Sequence, residues 1–269
     1  SVDRTKLWTV LHSMSLPSDF IDILKDLYRD SSIVANIGQI QTEPIPLKRG
    51  LKQGCALSPI LFTLYLQELE KRFAKTGLGV RLGKTVLSAI FFADYIVILS
   101  EWPQDLDRLL SVLAHFCVER HLEINPQKSA VFQVGHAHFT PNPIQTYDIM
   151  TGQLKIIHIP VCNNYKYLGV RLRRSTFILA SQYTAMTMKA RRAVPQIASA
   201  ARMSWDPAQI SKLMWENITI PSLTYAMEVI PFHNATAVAL QRSQLQVFKR
   251  VLNLPMSLSS AGLTSEIGC

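Results

Sequence analysis

The sequence predicts an α+β fold, with strands and helices mixed over residues 1–174 and helices alone over residues 175–269. Three observations predict it. Apolar residues recur at helical spacing in several separate segments, and runs rich in β-branched residues, broken by Gly and Pro, lie between them. From Thr176 onward the composition turns to Ala, Met, Gln and Ser, which marks a domain boundary. With 269 residues, 48% of them hydrophobic and 17% charged, the chain has material for a sizeable core in one large or two modest domains.

Taken in order, "DRTKLWTVLHSM" and "PSDFIDILKDLYRD" have helical spacing, with Leu16-Pro17 between them. "SSIVANIGQIQTEPIPLKRG" predicts a strand pair or an extended ribbon. Ser58-Pro59 has the form of an N-cap followed by proline at the first helical position, and "ILFTLYLQELEKRFAKTG" runs as a helix to a C-terminal cap at Gly77. Strands follow around "FFADYIVILS", residues 91–100. In "QDLDRLLSVLAHFCVERH" the residues Leu106, Leu109, Leu110, Leu113, Phe116 and Cys117 define one helix face, which should lie on a sheet. "KSAVFQVG" predicts a strand, and a proline-bearing loop region is expected from about Phe139 to Asn164.

Several classes are disfavoured. The chain starts at Ser1 without a basic-then-apolar leader, and its longest largely apolar run, Val86 to Ala93, is far short of the ~20 residues that span a bilayer. A soluble internal segment of a longer product, with no membrane partner, is the expectation. Cys55, Cys117, Cys162 and Cys269 form no C-x-x-C pair, so a reducing compartment is expected, intracellular and either cytoplasmic or nuclear. "GVRLGKT", residues 79–85, approaches a phosphate-binding loop, but the order of helix and strand around it is reversed. His136, His138, His158 and Cys162 are chemically suitable zinc ligands whose spacing fits no usual zinc pattern.

Charge is more informative by position than by total. The net charge is +9, and between Asp148 and Asp206 there is no acidic residue. That stretch carries Lys155, Lys166, Arg171, Arg173, Arg174, Lys189, Arg191, Arg192 and Arg202. A one-signed segment of this length attracts polyanions, of which a phosphate backbone is the commonest, although a solvated basic face has the same composition. Asp94, the one carboxylate in its apolar run, could be a turn residue that bonds its own backbone or a strand-end ligand for a divalent ion.

The neighbouring motifs bear on that choice. "RGLKQGCALSPILFTLYLQEL", residues 49–69, resembles the glycine- and glutamine-bearing turn and following helix of reverse transcriptases from retrotransposons lacking long terminal repeats. Phe92-Ala93-Asp94-Tyr95 resembles that family's aromatic-x-Asp-Asp hairpin. "LEINPQKSAVF" (122–132) resembles the next palm motif, and "YKYLGVRL" (165–172) the hairpin that grips the primer. "PSLTYAMEVI" and "LQRSQLQVFKRVLNLP" are similar to the helical region downstream. The resemblance implies a palm sheet packed by helices, with partial fingers, over residues 1–174. An all-α thumb and downstream region would follow over residues 175–269.

The resemblance also implies roles. Asp94 would be a catalytic ligand of Mg2+, and Lys128 would stand near the departing pyrophosphate. Arg49, Lys52, Gln53 and Gly54 would line the nucleotide and template. Tyr167, Leu168 and Gly169 would form the primer grip. Arg171, Arg173, Arg174, Lys189, Arg191 and Arg192 would meet the nucleic-acid backbone. The partners would be an RNA template, a DNA primer or hybrid duplex, deoxynucleoside triphosphates, and a further chain segment supplying fingers. Two departures stand out. The hairpin's second Asp is Tyr95, and a tyrosine hydroxyl is a poor divalent-metal ligand beside a carboxylate. The family's upstream palm Asp has no counterpart, because Asp3 falls after its position. The implied function is a retrotransposon RNA-directed DNA polymerase domain fragment, catalytically impaired as it stands. The alternative is a non-catalytic nucleic-acid-binding protein of the same descent.

Overall fold

Asp3 starts the first helix by accepting the N–H groups of Thr5 and Lys6 at 3.0 and 3.3 Å, which satisfies donors that a helix start leaves unpaired. The computed structural model describes residues 2–38, 40–134, 139–174, 180–229 and 234–259. They fall into two compact units, Ser1–Val131 with His138–Val161, and Phe132–Ala137 with Cys162–Cys269.

In the first unit, α1 (Arg4–Ser13) and α2 (Ser18–Arg29) bury Leu7, Val10, Leu11, Ile21, Leu24 and Tyr28 against Leu61 and Tyr65 of α3 (Ser58–Thr76). Between α2 and α3 lies the expected ribbon. β1 (Ser32–Ile33) pairs with β4 (Ile45–Pro46), and β2 (Asn36–Ile37) pairs with β3 (Ile40–Gln41). Ser58 differs from its predicted role: the N-cap is Leu57, and Ser58 is already helical. Its hydroxyl donates instead to the Lys52 carbonyl at 2.6 Å, which ties down the preceding loop. Gly77 ends α3 at φ 66°, as its position predicts.

After α3 come the hairpins β5 (Val80–Leu82) with β6 (Thr85–Leu87), and β7 (Ala89–Phe92) with β8 (Tyr95–Ile98). "GVRLGKT" is therefore a β-hairpin whose turn is Gly83-Lys84. α4 (Pro103–Glu119) buries the predicted face on two sides. Leu109, Leu113, Phe116 and Cys117 meet Leu66, Leu69 and Phe73 of α3, with Phe91 and Ile96 of the β7–β8 hairpin packed against them. Leu110 and Ala114 meet a second hairpin, β10 (Ile144–Tyr147) with β11 (Leu154–Ile157), which follows the short β9 (Val131–Phe132).

The β10–β11 hairpin replaces the expected loop. Its turn is closed by Asp148, whose carboxylate accepts Met150 and Thr151 N–H groups. Ile144, Thr146 and Ile157 are buried while Gln145 and Ile156 are exposed, a period-two pattern that prolines on either side conceal.

The second unit runs from β12 (Val161–Cys162) through the hairpin β13 (Asn164–Tyr167) with β14 (Val170–Arg173) to α5 (Ala180–Arg202). α6 (Pro207–Met214), a π turn at Trp215–Thr219, α7 (Ile220–Thr224) and α8 (Asn234–Val251) complete it. Small residues of α5, Ala190, Ala198 and Ala201, share a core with Val247 and Val251 of α8. Arg202 donates to the Arg250 carbonyl at 2.7 Å, satisfying an acceptor at the end of α8.

The β13–β14 hairpin packs on α5, where the Arg171 N–H donates to Gln182 Oε1 at 3.1 Å, and the division between the two compact units falls at residues 161–162. Among the described residues the strands pair two by two. Strands of two to four residues offer short edges, and helices take the apolar faces of the β7–β8 and β10–β11 hairpins. No described helix is long and apolar enough to cross a membrane.

Burial pushes the Cys117 thiol up to about 12, so the reactive thiolate is scarce at pH ~8. Iodoacetamide should leave Cys117 unmodified in the folded chain and label it after unfolding in urea, read by peptide mass spectrometry. Native-state labelling at the rate of the half-buried Cys55 would contradict the α3–α4 core.

Candidate functional site

The hairpin that carries Asp94 is built by alternation. Phe92 pairs with Tyr95, which leaves Ala93 and Asp94 as a two-residue turn, and Ala93 holds φ 50°, the positive value that suits a tight hairpin. Ala89, Phe91, Ile96 and Ile98 pack toward the α3–α4 core. Ile90, Phe92 and Tyr95 are exposed on the opposite face, so only one face of these strands is covered. The Asp94 carboxylate sits exposed at the tip, and Tyr95 opens β8 on the outer face.

A two-ion centre of the family's kind needs several hard oxygen ligands around one point. Among the described residues no group of three His, Cys, Asp or Glu side chains could hold a metal ion. The described residues around Asp94 therefore do not by themselves supply a ligand set that fits Mg2+. Of the zinc candidates, His136 and His138 lie outside the described residues.

The loop of residues 49–58 divides its candidates between the interior and the surface. Gly50 donates to the Val2 carbonyl at 2.8 Å and accepts from Arg4 Nε at 3.0 Å. Arg49 turns inward, against its expected place at the nucleotide. Its guanidinium donates to the His121 carbonyl at 3.1 Å and lies 3.7 Å from Asp3 and 5.8 Å from the Tyr147 ring. Lys52 stands 5.7 Å from the Tyr28 ring, while Gln53 and Gly54 are exposed. Gly54 has φ 78° and open space where a Cβ would stand. Lys128 is exposed in a turn whose N–H donates to Asn125 Oδ1 at 3.2 Å.

Asp3, excluded above as a metal ligand, has a structural task. Its carboxylate accepts from His121 Nδ1 at 2.9 Å in addition to capping α1, and the His121 ring stacks on Tyr147 at 4.6 Å. Burial pushes the Asp3 carboxyl up. The His121 and Lys6 hydrogen bonds and the Arg49 charge outweigh that effect and hold it below its ordinary value of 3.8.

In the second unit the sequence candidates converge on a cleft of about 560 Å³. Lys166 of β13, Arg171 and Arg173 of β14, and Lys189 and Arg192 of α5 line it, and among the described residues no carboxylate does. In the antiparallel register Lys166 stands directly opposite Arg171, on the face that alternation exposes. Like charges so placed repel, a cost that a bound anion would remove. Tyr167 begins the turn, and Leu168 and Gly169 form it, with φ of 44° and 87°. Arg174 and Arg191 do not line the cleft. On α5, Arg191 lies two residues from Lys189, about 200° around the helix, whereas Arg192 follows at the same-face spacing of three.

A family model described as reverse transcriptase (RNA-dependent DNA polymerase) matches residues 1–172. The chain belongs to the reverse transcriptase family. It is 26% identical over 171 residues, 63% of its length, to the retrovirus-related Pol polyprotein of the type-2 retrotransposable element R2DM of Drosophila melanogaster. It is 27% identical over 172 residues, again 63% of its length, to the R2 Pol polyprotein of Nasonia vitripennis. To the transposon TX1 149 kDa protein of Xenopus laevis it is 27% identical over 186 residues, 68% of its length. These matches cover 16%, 17% and 13% of the respective relatives. The chain thus falls among the reverse transcriptase domains of retrotransposons lacking long terminal repeats.

Sequence reasoning missed two residues of this reverse transcriptase chain, Gln182 and Tyr225, which touch the turn or strand of the β13–β14 hairpin. Tyr225 lies within "PSLTYAMEVI", a segment the resemblance singles out, but nothing in its spacing pairs it with a residue 57 positions away.

Because its folded-state value is depressed, the Asp3 contribution is fully present above pH ~4 and is lost as pH falls through the folded value. Asp3→Ala should cost about 1–3 kcal/mol at pH 7, while Asp3→Asn should retain the cap and flatten the acid limb, both read by urea unfolding at pH 7 and 3.5. Equal acid sensitivity of Asp3→Asn and wild type would remove Asp3 from that role.

Proposed function

We propose that this chain is a nucleic-acid-holding reverse transcriptase domain of retrotransposon origin whose polymerase chemistry is impaired. The observation that carries the first half is the cleft lined by five cations and, among the described residues, by no carboxylate, in which Lys166 stands directly opposite Arg171. A phosphate backbone supplies the missing charge, and an RNA–DNA hybrid presents it along a continuous edge. Lys52, Gln53 and Gly54 are the proposed face for template and incoming deoxynucleotide, where the bare Gly54 permits close backbone approach. Lys128 is proposed to meet the leaving pyrophosphate. Arg49 is proposed to support this face from behind, its guanidinium bonded to the His121 carbonyl and 3.7 Å from Asp3.

The second half rests on the hairpin. Asp94 is followed by Tyr95, and a phenol hydroxyl does not replace a carboxylate as a hard ligand of a divalent ion. Binding without catalysis is favoured by this specific contrast between an intact basic cleft and an incomplete acidic turn.

Affinity for an RNA–DNA hybrid should fall roughly 500-fold between 50 and 200 mM salt if all five cations engage. Arg171→Glu with Arg192→Glu should abolish most of it, whereas Arg191→Glu, outside the cleft, should cost little. Fluorescence anisotropy reads both, and equal losses from the two sets would reduce the cleft to a generic basic face. In primer extension the chain should show no template-dependent synthesis. Synthesis abolished by Asp94→Asn would refute the impairment.

A further inference from the structure

The turn of the β13–β14 hairpin is held from outside the hairpin. Leu168 adopts φ 44°, a left-handed conformation that a leucine resists, and Gly169 adopts φ 87°. The Tyr225 hydroxyl donates to the Leu168 carbonyl at 2.7 Å. The Tyr225 ring fills the space above Gly169, where an added Cβ would stand 2.7 Å from Tyr225 Cε1. A second tie holds the strand, since Gln182, 7% exposed, accepts the Arg171 N–H. A third joins α5 to the segment bearing Tyr225, since Lys189 Nζ donates to the Ser222 carbonyl at 2.9 Å. Gly169, Arg171, Gln182, Lys189, Ser222 and Tyr225 all line the basic cleft.

We infer that Tyr225 is a positioning residue that locks the hairpin turn so that Lys166 and Arg171 are presented together to a phosphate strand. The inference rests on the nucleic-acid reading of the cleft. A two-stranded hairpin is marginal by itself, and this one carries like charges directly opposite each other. Left alone, it would relieve the repulsion by splaying at the turn, where the strained Leu168 gives way most easily. The Tyr225 tie opposes that motion. Because Tyr225 is 56% exposed, its hydroxyl bond contributes little to the folding of the unit as a whole. Its effect is confined to the shape of the cleft mouth.

The test uses the full chain as wild type, Tyr225→Phe and Tyr225→Leu, with three readouts: thermal melting, amide hydrogen exchange at Tyr167 and Val170, and affinity for an RNA–DNA hybrid at fixed salt. The phenylalanine variant keeps the ring and removes only the hydroxyl. It should melt with wild type, exchange about fivefold faster at the hairpin and bind about fivefold more weakly, the scale of one lost hydrogen bond. Unchanged exchange and affinity in Tyr225→Phe overturn the inference. So does a wild-type-like Tyr225→Phe beside a weakened Tyr225→Leu, which would assign the effect to the ring rather than the tie. If wild type binds no hybrid, the functional reading fails, and the exchange measurement still decides whether Tyr225 holds the turn.

Discussion

The seam between α3 and α4 is the constraint on which the first unit depends. Leu66, Leu69 and Phe73 on one helix close against Leu109, Leu113, Phe116 and Cys117 on the other, and each such side chain contributes about 1.5–3 kcal/mol when fully buried. The strands lack the length to assemble a self-sufficient sheet, and an isolated two-stranded hairpin is marginal in water. α4 therefore acts as a common backing. Its Leu113 and Phe116 side supports the hairpin bearing Asp94, and its Leu110 and Ala114 side supports β10–β11. Asp94 is displayed in water at the tip of two apolar strands because only one face of those strands finds a helix.

A smaller polar junction closes the same unit. Asp3 caps α1, accepts from His121 beyond the end of α4 and faces Arg49 in the loop that leads to α3, while His121 and Arg49 both meet Tyr147 of β10. Four elements end within reach of one carboxylate. Nearby, the Tyr65 hydroxyl donates to the Arg120 carbonyl at 2.6 Å, and burial pushes its phenol well above the ordinary value. These contacts explain why Arg49 serves the interior while Gln53 and Gly54, a few residues on, stay at the surface.

The second unit reverses the balance, holding charge where the first unit holds apolar surface. Its Ala-rich helix α5 packs closely on α8 with one face and turns Lys189 and Arg192 to the cleft with another. The β13–β14 hairpin adds Lys166, Arg171 and Arg173, and among the described residues no acid lines the cleft. A folded protein that concentrates repulsion in this way is stabilised by whatever anion it binds, by mass action. The contrast with the lone carboxylate at Asp94 is the physical basis of the proposal that separates holding from polymerising in this member of the reverse transcriptase family.

Local patterns in the chain determined a good deal by themselves. The inward face of α4, the left-handed end of α3 at Gly77, the turn at Asp94 and the acid-free basic segment were all legible, because each depends on residues within a turn or two of one another. The β10–β11 hairpin was hidden, since its buried positions alternate with polar ones between prolines and its closing turn relies on one aspartate. Only the tertiary structure decided that Arg49 faces Asp3 and His121, that Arg191 leaves the cleft Arg192 enters, and that Gln182 and Tyr225 hold the primer-grip-like hairpin. Periodicity reports which side of an element is buried. It carries no information about which distant group arrives there, and that choice is made by packing.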